Sequence, residues 1–366
     1  MYKFKLALKF FLKRRISLIA VAAIALCVFI IIVVMTVING LVVEFKDKNH
    51  NYIGDCVVQS GSLVGFAYYE DFLKILEQQD FIAAFSPVIR CYGLLSQPGS
   101  DNSFGVEITG LDPVAQSRVT NFAQTLYYHK DDPANAFRQN HEPDIPGCIV
   151  GIDKISDRDR DGNYYHSPQP MRFELILSCF PLTAKGALAN LGTDIVNTKT
   201  FMYSDDSHSE LVKVDAQMIY IPFDYAQALC GMSEEPKRIS DIHIKFKYGV
   251  ALQSGTEKVF KLWQKFKADN HAKPLAYLLE NVNVQGWKEN QRDTISAMEK
   301  EQTMLSLLFI MLAIITVFIV FVIFYMIISH KSKDIGILKS FGVSNTAVFQ
   351  IFITFSIFVA VIGSAV

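Results

Sequence analysis

Three long apolar blocks interrupt an otherwise polar chain. The first, residues 16–38, and the second, residues 304–329, contain no charged side chain, and the third runs from residue 346 to residue 366. At a rise of 1.5 Å per residue, the first block spans about 35 Å as a helix, enough to cross a bilayer core of about 30 Å. The pattern predicts transmembrane helices at 16–38, 304–329 and 346–366.

A cleaved signal is an alternative interpretation of the first block, because basic residues precede it. The apolar core of a signal peptide is about 7–15 residues long, and this block is longer. A lipoprotein signal would need a small residue before Cys27, where the chain has Leu26. We therefore expect the block to remain as a membrane span.

Basic residues at the ends of the spans predict the orientation. Residues 1–15 contain six Lys or Arg and no acid, and His330, Lys331, Lys333 and Lys339 follow the second span. Such flanks stay in the cytoplasm, so residues 47–298 are expected outside and residues 330–345 inside. Residues 1–15 also show an amphipathic pattern, which predicts a helix on the membrane surface; a basic anchor without fixed structure is the alternative.

Residues 47–298 are polar enough to fold in water and show both helix and strand patterns. They predict an α+β domain, with a first subdomain at 47–113 and 233–290 and a second one, 114–232, inserted into it. The individual elements predicted are strands at 55–60, 82–95 (broken at Pro87), 103–108, 172–178, 216–221, 239–247 and 275–284, helices at 69–79 and 256–268, and a turn at 110–113.

Composition and motifs exclude several functions. Only 19% of residues are charged and the net charge is −1, so no basic field is present to hold nucleic acid. The chain has no G-x-x-x-x-G-K-[ST], H-E-x-x-H or G-x-S-x-G motif, so we expect no ATPase or other catalytic site and no cofactor. Residues 157–162 resemble half of an EF-hand loop, but Pro168 replaces its last acidic ligand, which favours a hairpin tip over calcium.

Five cysteines lie outside the predicted spans: Cys56, Cys91, Cys148, Cys179 and Cys230. An odd number cannot all pair with one another, and their spacing fits no zinc motif. Buried free thiols are the expected state, and one disulfide is the alternative in an oxidising compartment. No metal site is predicted from them.

The segment after the second span carries a resemblance to a known family. Residues 333–344 read KDIGILKSFGVS, similar to the E-I-G-I-L-[RK]-x-[LIF]-G-x-[ST] segment of FtsX/MacB/LolC-type ABC-transporter permeases, with Asp334 and Val343 replacing Glu and Ala. The end of the first span, VMTVINGLVVEFKDK, is similar to a stretch of the Lol permeases. Further similar segments are Gly110–Pro113, Ile219–Pro222, Ala226–Leu229 and Trp287–Met304.

The resemblance implies an α-helical membrane protein, a type VII permease with four spans and a large α+β extracytoplasmic domain between spans 1 and 2. The fourth span is missing from this sequence, and we expect it after residue 366. Such a permease pairs with a second copy or a paralogue and with a cytosolic ABC ATPase. In the Lol case the complex lifts lipoproteins from the inner membrane and passes them to a periplasmic chaperone.

Two sets of site residues follow from the resemblance. One is a coupling helix that receives the ATPase stroke; a plain amphipathic connector is its alternative. Its residues are Lys333, Asp334, Ile335, Gly336, Ile337, Leu338, Lys339, Phe341 and Gly342. The other is a chaperone hook in the loop of residues 180–192, with an ordinary surface loop as its alternative. Its apolar residues are Phe180, Pro181, Leu182, Leu188 and Leu191.

Other functions remain as alternatives. A MacB-like efflux permease usually carries an ATPase before its first span, and an FtsX-like regulatory permease has a much smaller external domain. A two-span sensor with a ligand-binding outer domain is disfavoured by the third apolar block. A membrane-anchored enzyme is disfavoured by the missing catalytic motifs. The sequence therefore favours a lipoprotein-releasing permease of the LolC/LolE type.

Overall fold

The computed structural model describes residues 15–100, 102–139, 142, 144–189, 196–330 and 332–365. It divides into two units. The large unit is Lys46–Arg292, and the helical unit comprises the described parts of Met1–Phe45 and Asp293–Val366. The amphipathic pattern predicted at residues 1–15 lies outside the described residues, except for Arg15.

Helices and strands alternate through the large unit, and long helices form the other unit. The helices are α1 (Arg15–Ile53), α2 (Tyr69–Glu77), α3 (Pro113–Val119), α4 (Phe122–Thr125), α5 (Val212–Gln217), α6 (Phe223–Leu229), α7 (Leu252–Asp269), α8 (Tyr277–Glu280), α9 (Trp287–Asn290), α10 (Arg292–His330), α11 (Ser332–Ser340) and α12 (Asn345–Ala365). The strands are β1 (Cys56–Ser60), β2 (Phe66–Ala67), β3 (Ile82–Ser96), β4 (Ser103–Leu111), β5 (Gly147–Gly151), β6 (Glu174–Cys179), β7 (Asn197–Ser207), β8 (Met218–Pro222), β9 (Arg238–Ile239), β10 (Asp241–Phe246) and β11 (Val282–Gly286).

Nine strands of the large unit form one sheet in the order β11-β1-β10-β3-β4-β8-β5-β7-β6, and β3 also pairs with β6. The second pairing closes six strands into a ring. The pairs β4–β8 and β5–β7 are parallel, and the others in this sheet are antiparallel. This is the mixed α+β architecture that the sequence predicts.

Strand β3 belongs to both halves of the sheet. Residues 82–88 pair with β10, and residues 89–96 pair with β4. The predicted break at Pro87 is wrong: the proline lies where β3 has a paired neighbour on one side only, so its missing N–H leaves no second ladder incomplete. Both predicted subdomains lie within the one large unit, and β4 of the first pairs with β8 of the second.

Two other local predictions need correction. The turn predicted at 110–113 is the end of β4 followed by a helix start: Asp112 Oδ1 accepts the N–H groups of Val114 and Ala115 at 2.8 and 3.0 Å, and Pro113 occupies the first helical turn. The strand predicted at 275–284 is instead α8 followed by β11. Leu278 and Leu279 are adjacent and both buried, which an alternating strand does not allow.

An aromatic cluster lies in the core of the large unit. Trp263 of α7 contacts Phe72 of α2 edge to face, with ring centroids 4.8 Å apart, and Phe66 of β2 at 5.3 Å. All three side chains are buried. Such pairs add about 0.5–1.5 kcal/mol beyond the burial of their area. The patterns predicted for α2, α7 and β10 are confirmed, with the apolar side chains facing this core.

Two apolar helices of the helical unit, α1 and α10, are longer than the spans predicted for them. Both α1 and α10 have 39 residues. By length and composition, Ile24–Ile53 and Arg292–Met326 could each cross a membrane, and Asn345–Phe358 is a shorter apolar stretch. Within this unit Gln302 Nε2 donates a hydrogen bond to Asn39 Oδ1 at 2.7 Å, which ties α10 to α1.

Candidate functional site

The predicted coupling segment forms the separate short helix α11, of nine residues, between α10 and α12. Two apolar side chains four residues apart point away from the rest of the chain: Ile337 is 57% exposed and Phe341 is 81% exposed. Ile335 is partly buried, and Lys333 and Lys339 are exposed. A methyl group added at Gly336 would meet nothing within 4 Å. The segment therefore presents apolar surface that this chain does not cover.

Both ends of the connection after α11 have specific caps. Gly342 has a φ of +80°, and its N–H donates to Lys339 O at 3.0 Å, as expected for a glycine after a helix C-terminus. Ser344 Oγ accepts the N–H of Ala347 at 3.3 Å and so caps α12. These caps end one helix and start the next within four residues, which fixes the position of Phe341 between them.

The predicted hook loop contains a small hairpin at residues 181–189. The N–H of Thr183 donates to Ala187 O at 2.8 Å, and the N–H of Ala189 donates to Pro181 O at 2.8 Å. Gly186, with a φ of +80°, forms its turn. Pro181 is buried and Leu182 packs on the core, so the exposed apolar surface comes from Phe180 and Leu188. Leu191 lies outside the described residues.

Arg238 holds the base of this hairpin. Its guanidinium is buried and donates to Val64 O at 2.8 Å, Leu182 O at 2.9 Å and Gly231 O. Tyr277 Oη adds a hydrogen bond to Ala184 O at 2.9 Å. The first strand of the hairpin is thus fixed to the large unit, and its second strand carries the exposed Leu188. The sequence offered no signal for this clamp, because Arg238 is far along the chain from every acceptor except Gly231.

A cavity of about 210 Å³ lies in the large unit. Its lining includes Tyr52, Gln116, Glu210, Tyr220 and His243. Small-molecule sites usually have about 300–1,000 Å³, so this volume suits a few waters or a very small polar ligand. The cavity was not predicted, because its lining comes from five separate stretches of the chain.

Burial governs the ionisation of the cavity wall. Burial, together with the charge of Arg90, lowers the pKa of His243 to about 3, so the imidazole is neutral. Gln116 Nε2 lies 3.1 Å from His243 Nδ1 and donates to it, which places the proton of the neutral ring on Nε2. Burial also raises the pKa of Tyr52 to about 12.

The acidic stretch at residues 157–162 forms a turn. Asp159 Oδ1 accepts the N–H groups of Asp161 and Asn163 at 2.9 and 2.8 Å, and Gly162 has a φ of +85°. Arg158 and Tyr164 form an isolated antiparallel bridge on either side. The Asp159 carboxylate is thus used to close the turn. The geometry is the hairpin tip that the sequence favours.

Comparison with known families identifies the C-terminal part of the chain. Residues 306–366 match the family model for the FtsX-like permease C-terminal domain. The match includes most of the apolar part of α10 and all of α11 and α12. It supports the class predicted from the sequence, an FtsX-like ABC transporter permease, which is a membrane-embedded and generally non-catalytic transporter component. A comparison with curated proteins finds no match.

Three solved structures are similar to this chain at low identity. The periplasmic region of MacB from Actinobacillus actinomycetemcomitans is 12% identical with a TM-score of 0.37, over 67% of this chain and 94% of that one. The extracellular domain of the noncanonic ABC-type transporter YknZ from Gram-positive bacteria is 9% identical with a TM-score of 0.33, over 63% and 98%. A domain of a putative permease protein from Porphyromonas gingivalis is 11% identical with a TM-score of 0.33, over 65% and 90%. Scores below 0.5 do not establish a shared fold.

Proposed function

We propose that this chain is the permease subunit of an ATP-driven transporter in a bacterial inner membrane. Residues 330–345 lie in the cytoplasm and the large unit lies in the periplasm. A separate cytosolic ABC ATPase supplies the energy, and a second permease copy or a paralogue completes the complex. The family match at residues 306–366 supports the permease class, and the basic flanks support the orientation.

The substrate in this proposal is a lipoprotein of the inner membrane, which the complex hands to a periplasmic chaperone. The resemblance of residues 333–344 and of the end of the first span to Lol permeases supports this choice. The hairpin at 181–189 is the proposed chaperone contact, because it carries exposed Phe180 and Leu188 on a clamped base. Isolated apolar side chains are common on surfaces, so the contact needs a direct test.

The single observation that carries the proposal is the exposed apolar surface of α11. Ile337 lies on the short helix α11 of the family-matched segment, and Phe341, four residues further along, directly follows the last residue of that helix. An isolated helix of this length is marginal in water, and apolar side chains on one face suit a groove of another protein. The docked partner would be the ATPase.

Transmission of the stroke needs a stiff element. Helix α10 runs through 39 residues without proline or glycine, so it has none of the usual causes of a kink. Rigid helices can carry a displacement over their whole length. The hydrogen bond between Gln302 and Asn39 would make α1 move with it.

A MacB-like efflux permease or an FtsX-like regulatory permease is the second candidate. Both would use the same coupling helix and differ in the periplasmic partner. Release of a lipoprotein in a reconstituted system separates the leading proposal from these alternatives.

The ATPase contact is tested by Phe341→Glu. Because Phe341 is 81% exposed, the change should leave the chain folded, whereas a charge buried at the docked interface would cost several kcal/mol. We expect recovery of the ATPase with the affinity-purified permease to fall more than about tenfold, which corresponds to about 1.4 kcal/mol.

Tyr248→Glu is the matched control. Tyr248 is a fully exposed aromatic residue of the large unit, on the proposed periplasmic side, and the same charge there should leave ATPase recovery unchanged. Normal recovery with Phe341→Glu, or equal losses with both variants, would contradict the coupling assignment.

A further inference from the structure

Three cysteines from distant parts of the chain converge in the core of the large unit. Cys91 lies in β3, Cys179 is the last residue of β6, and Cys230 is the C-cap of α6. All three are buried, and their sulfur atoms all lie within 4.8 Å of one another. The Sγ atoms of Cys91 and Cys179 are 3.5 Å apart.

The backbone around the cluster is built to admit these sulfurs. Gly93 faces Cys179 across the β3–β6 pair, and a methyl group there would come within 3.0 Å of the Cys179 Sγ and 2.6 Å of Ser178 O. Gly231, with a φ of +70°, turns the chain directly after Cys230. A side chain at Gly93 would displace the Cys179 thiol, and one at Gly231 would meet Pro181 Cβ at 2.9 Å, so packing fixes the backbone on both sides of the cluster.

A buried positive charge lies next to the cluster. The Arg238 guanidinium donates to three carbonyl oxygens, one of which belongs to Gly231, the neighbour of Cys230. Within the part of the chain that the structure describes, Arg238 has no ion pair with a carboxylate. Burial lowers the pKa of Arg238, and the charge of Glu234 offsets this only in part. Ionised thiols beside the guanidinium would add to that offset.

The geometry suits metal binding by all three sulfurs. A metal–sulfur distance of about 2.3 Å in a trigonal site places the sulfurs about 4.0 Å apart, within the spacing seen here. A disulfide would use two of the three thiols and leave the third without a role. Among the described residues, no histidine or carboxylate joins the three cysteines. Structural zinc almost always has four ligands, so this set of three fits zinc poorly.

We propose that Cys91, Cys179 and Cys230 bind one soft, thiophilic cation, Cu(I), in a buried three-sulfur site. Thiolate ligands favour Cu(I), zinc and iron–sulfur clusters. Of these, Cu(I) has the low coordination number that three sulfurs match when no fourth ligand is present among the described residues. Binding releases the protons of the ionising thiols to solvent, and the metal keeps its oxidation state. The site would link β3, the end of α6 and β6. Strand β6 leads into the 181–189 hairpin.

The test uses the full chain in detergent, under nitrogen and with a non-thiol reductant. Cu(I) is supplied from a competing chelator, bicinchoninate, and bound copper is counted per chain. We expect one copper per chain and an X-ray absorption spectrum with sulfur as the only ligand type. Cys91→Ala, Cys179→Ala and Cys230→Ala should each weaken binding by more than about tenfold.

Cys148→Ala is the matched control, since Cys148 is equally buried but lies outside the cluster; it should retain the copper. Tryptophan fluorescence of each variant checks that the large unit is folded, and the spectrum of the wild-type chain is independent of any variant. The proposal is overturned by copper with nitrogen or oxygen ligands, by equal binding in the Cys179→Ala chain, by tighter binding of Zn(II) than of Cu(I), or by a Cys91–Cys179 disulfide in the chain purified without reductant.

Discussion

The two units of this chain treat large apolar side chains in opposite ways. In the large unit Phe72 is 0% and Trp263 is 1% exposed, because strands and helices enclose them. In the helical unit Phe29 of α1 is 62% and Phe318 of α10 is 67% exposed. The large unit covers its own core, whereas the helices α1 and α10 present apolar side chains on most of their surface.

This difference shows what each unit needs in order to be stable. A helix that is apolar on all sides is stable only when something apolar surrounds it, and lipid supplies that for a membrane span. Helix α12 has some cover inside its own unit, where Ile351 and Phe355 are buried and Phe355 contacts Phe324 with ring centroids 6.0 Å apart. The large unit depends on its packing, and the helical unit depends on its surroundings.

Phe72→Ala should have the largest effect, because it opens a cavity beside Trp263. We expect a loss of about 3–5 kcal/mol in the unfolding free energy of the large unit. Phe318→Ala removes the same ring from an exposed site and should change that free energy by less than about 0.5 kcal/mol. Both tryptophans of the chain, Trp263 and Trp287, lie in the large unit, so urea unfolding of the full chain followed by tryptophan fluorescence reports on this unit. Equal losses would contradict the comparison.

The second prediction concerns acid. The folded-state pKa of His243 is about 3, against about 6.5 in an unfolded chain. Between these values the unfolded state binds a proton that the folded state does not, so stability falls as the pH drops below 6.5. We expect this histidine to account for a loss of about 2–3 kcal/mol at pH 4. Burial raises the pKa of Asp241 to about 6, which acts in the opposite direction over the same range.

His243→Gln isolates the histidine contribution, because Asp241 remains in both proteins. Fluorescence unfolding of wild type and variant between pH 7 and pH 4 should give curves that diverge as the pH falls, with the variant less acid-sensitive. His271→Gln, at an exposed position, is the control and should follow wild type. His243 and the two tryptophans that report on unfolding all lie in the large unit, so the measured response is that of this unit. Parallel curves for wild type and His243→Gln would refute the assignment.

Local patterns predicted much of the fold. The apolar periodicity located α2, α7 and β10, and the segment predicted to couple, residues 333–342, agrees with α11 (Ser332–Ser340) within two residues at each end. These elements are recognisable because the spacing of their apolar residues is set within a short stretch of sequence. Binding of an ATPase by α11 stays a prediction, because that depends on a second chain.

Features built from distant residues could not be predicted. Arg238 donates a hydrogen bond to Val64, which is 174 positions away in the sequence, and Cys91 contacts Cys179, which is 88 positions away. Contacts at such separations match no short sequence motif. The error at residues 275–284 has a similar origin. Leu275 has a φ of +61° and the following turn buries Leu278 and Leu279 together, which packing requires and local preference does not reveal.

The hairpin at 181–189 and the residue before it resemble the helical unit in one respect, because Leu188 and Phe180 are exposed. Replacing both with serine should change the unfolding free energy by less than about 0.5 kcal/mol, as expected for surface sites. If the hairpin is the chaperone contact, loss of these anchors should reduce transfer of a lipoprotein from proteoliposomes to the chaperone more than about tenfold. Transfer is measured with the permease, its ATPase and the chaperone present.

Val212→Ser is the matched control, since Val212 is 73% exposed on the same unit and lies outside the hairpin. Transfer should be normal with Val212→Ser. ATPase recovery should be normal with both this control and the double serine variant, because the proposed ATPase contact is at α11. Loss of transfer with intact stability and intact ATPase recovery would show that a partner covers the exposed apolar side chains of the hairpin. Unchanged transfer in the double serine variant would make the hairpin an ordinary surface loop and would leave the coupling proposal standing by itself.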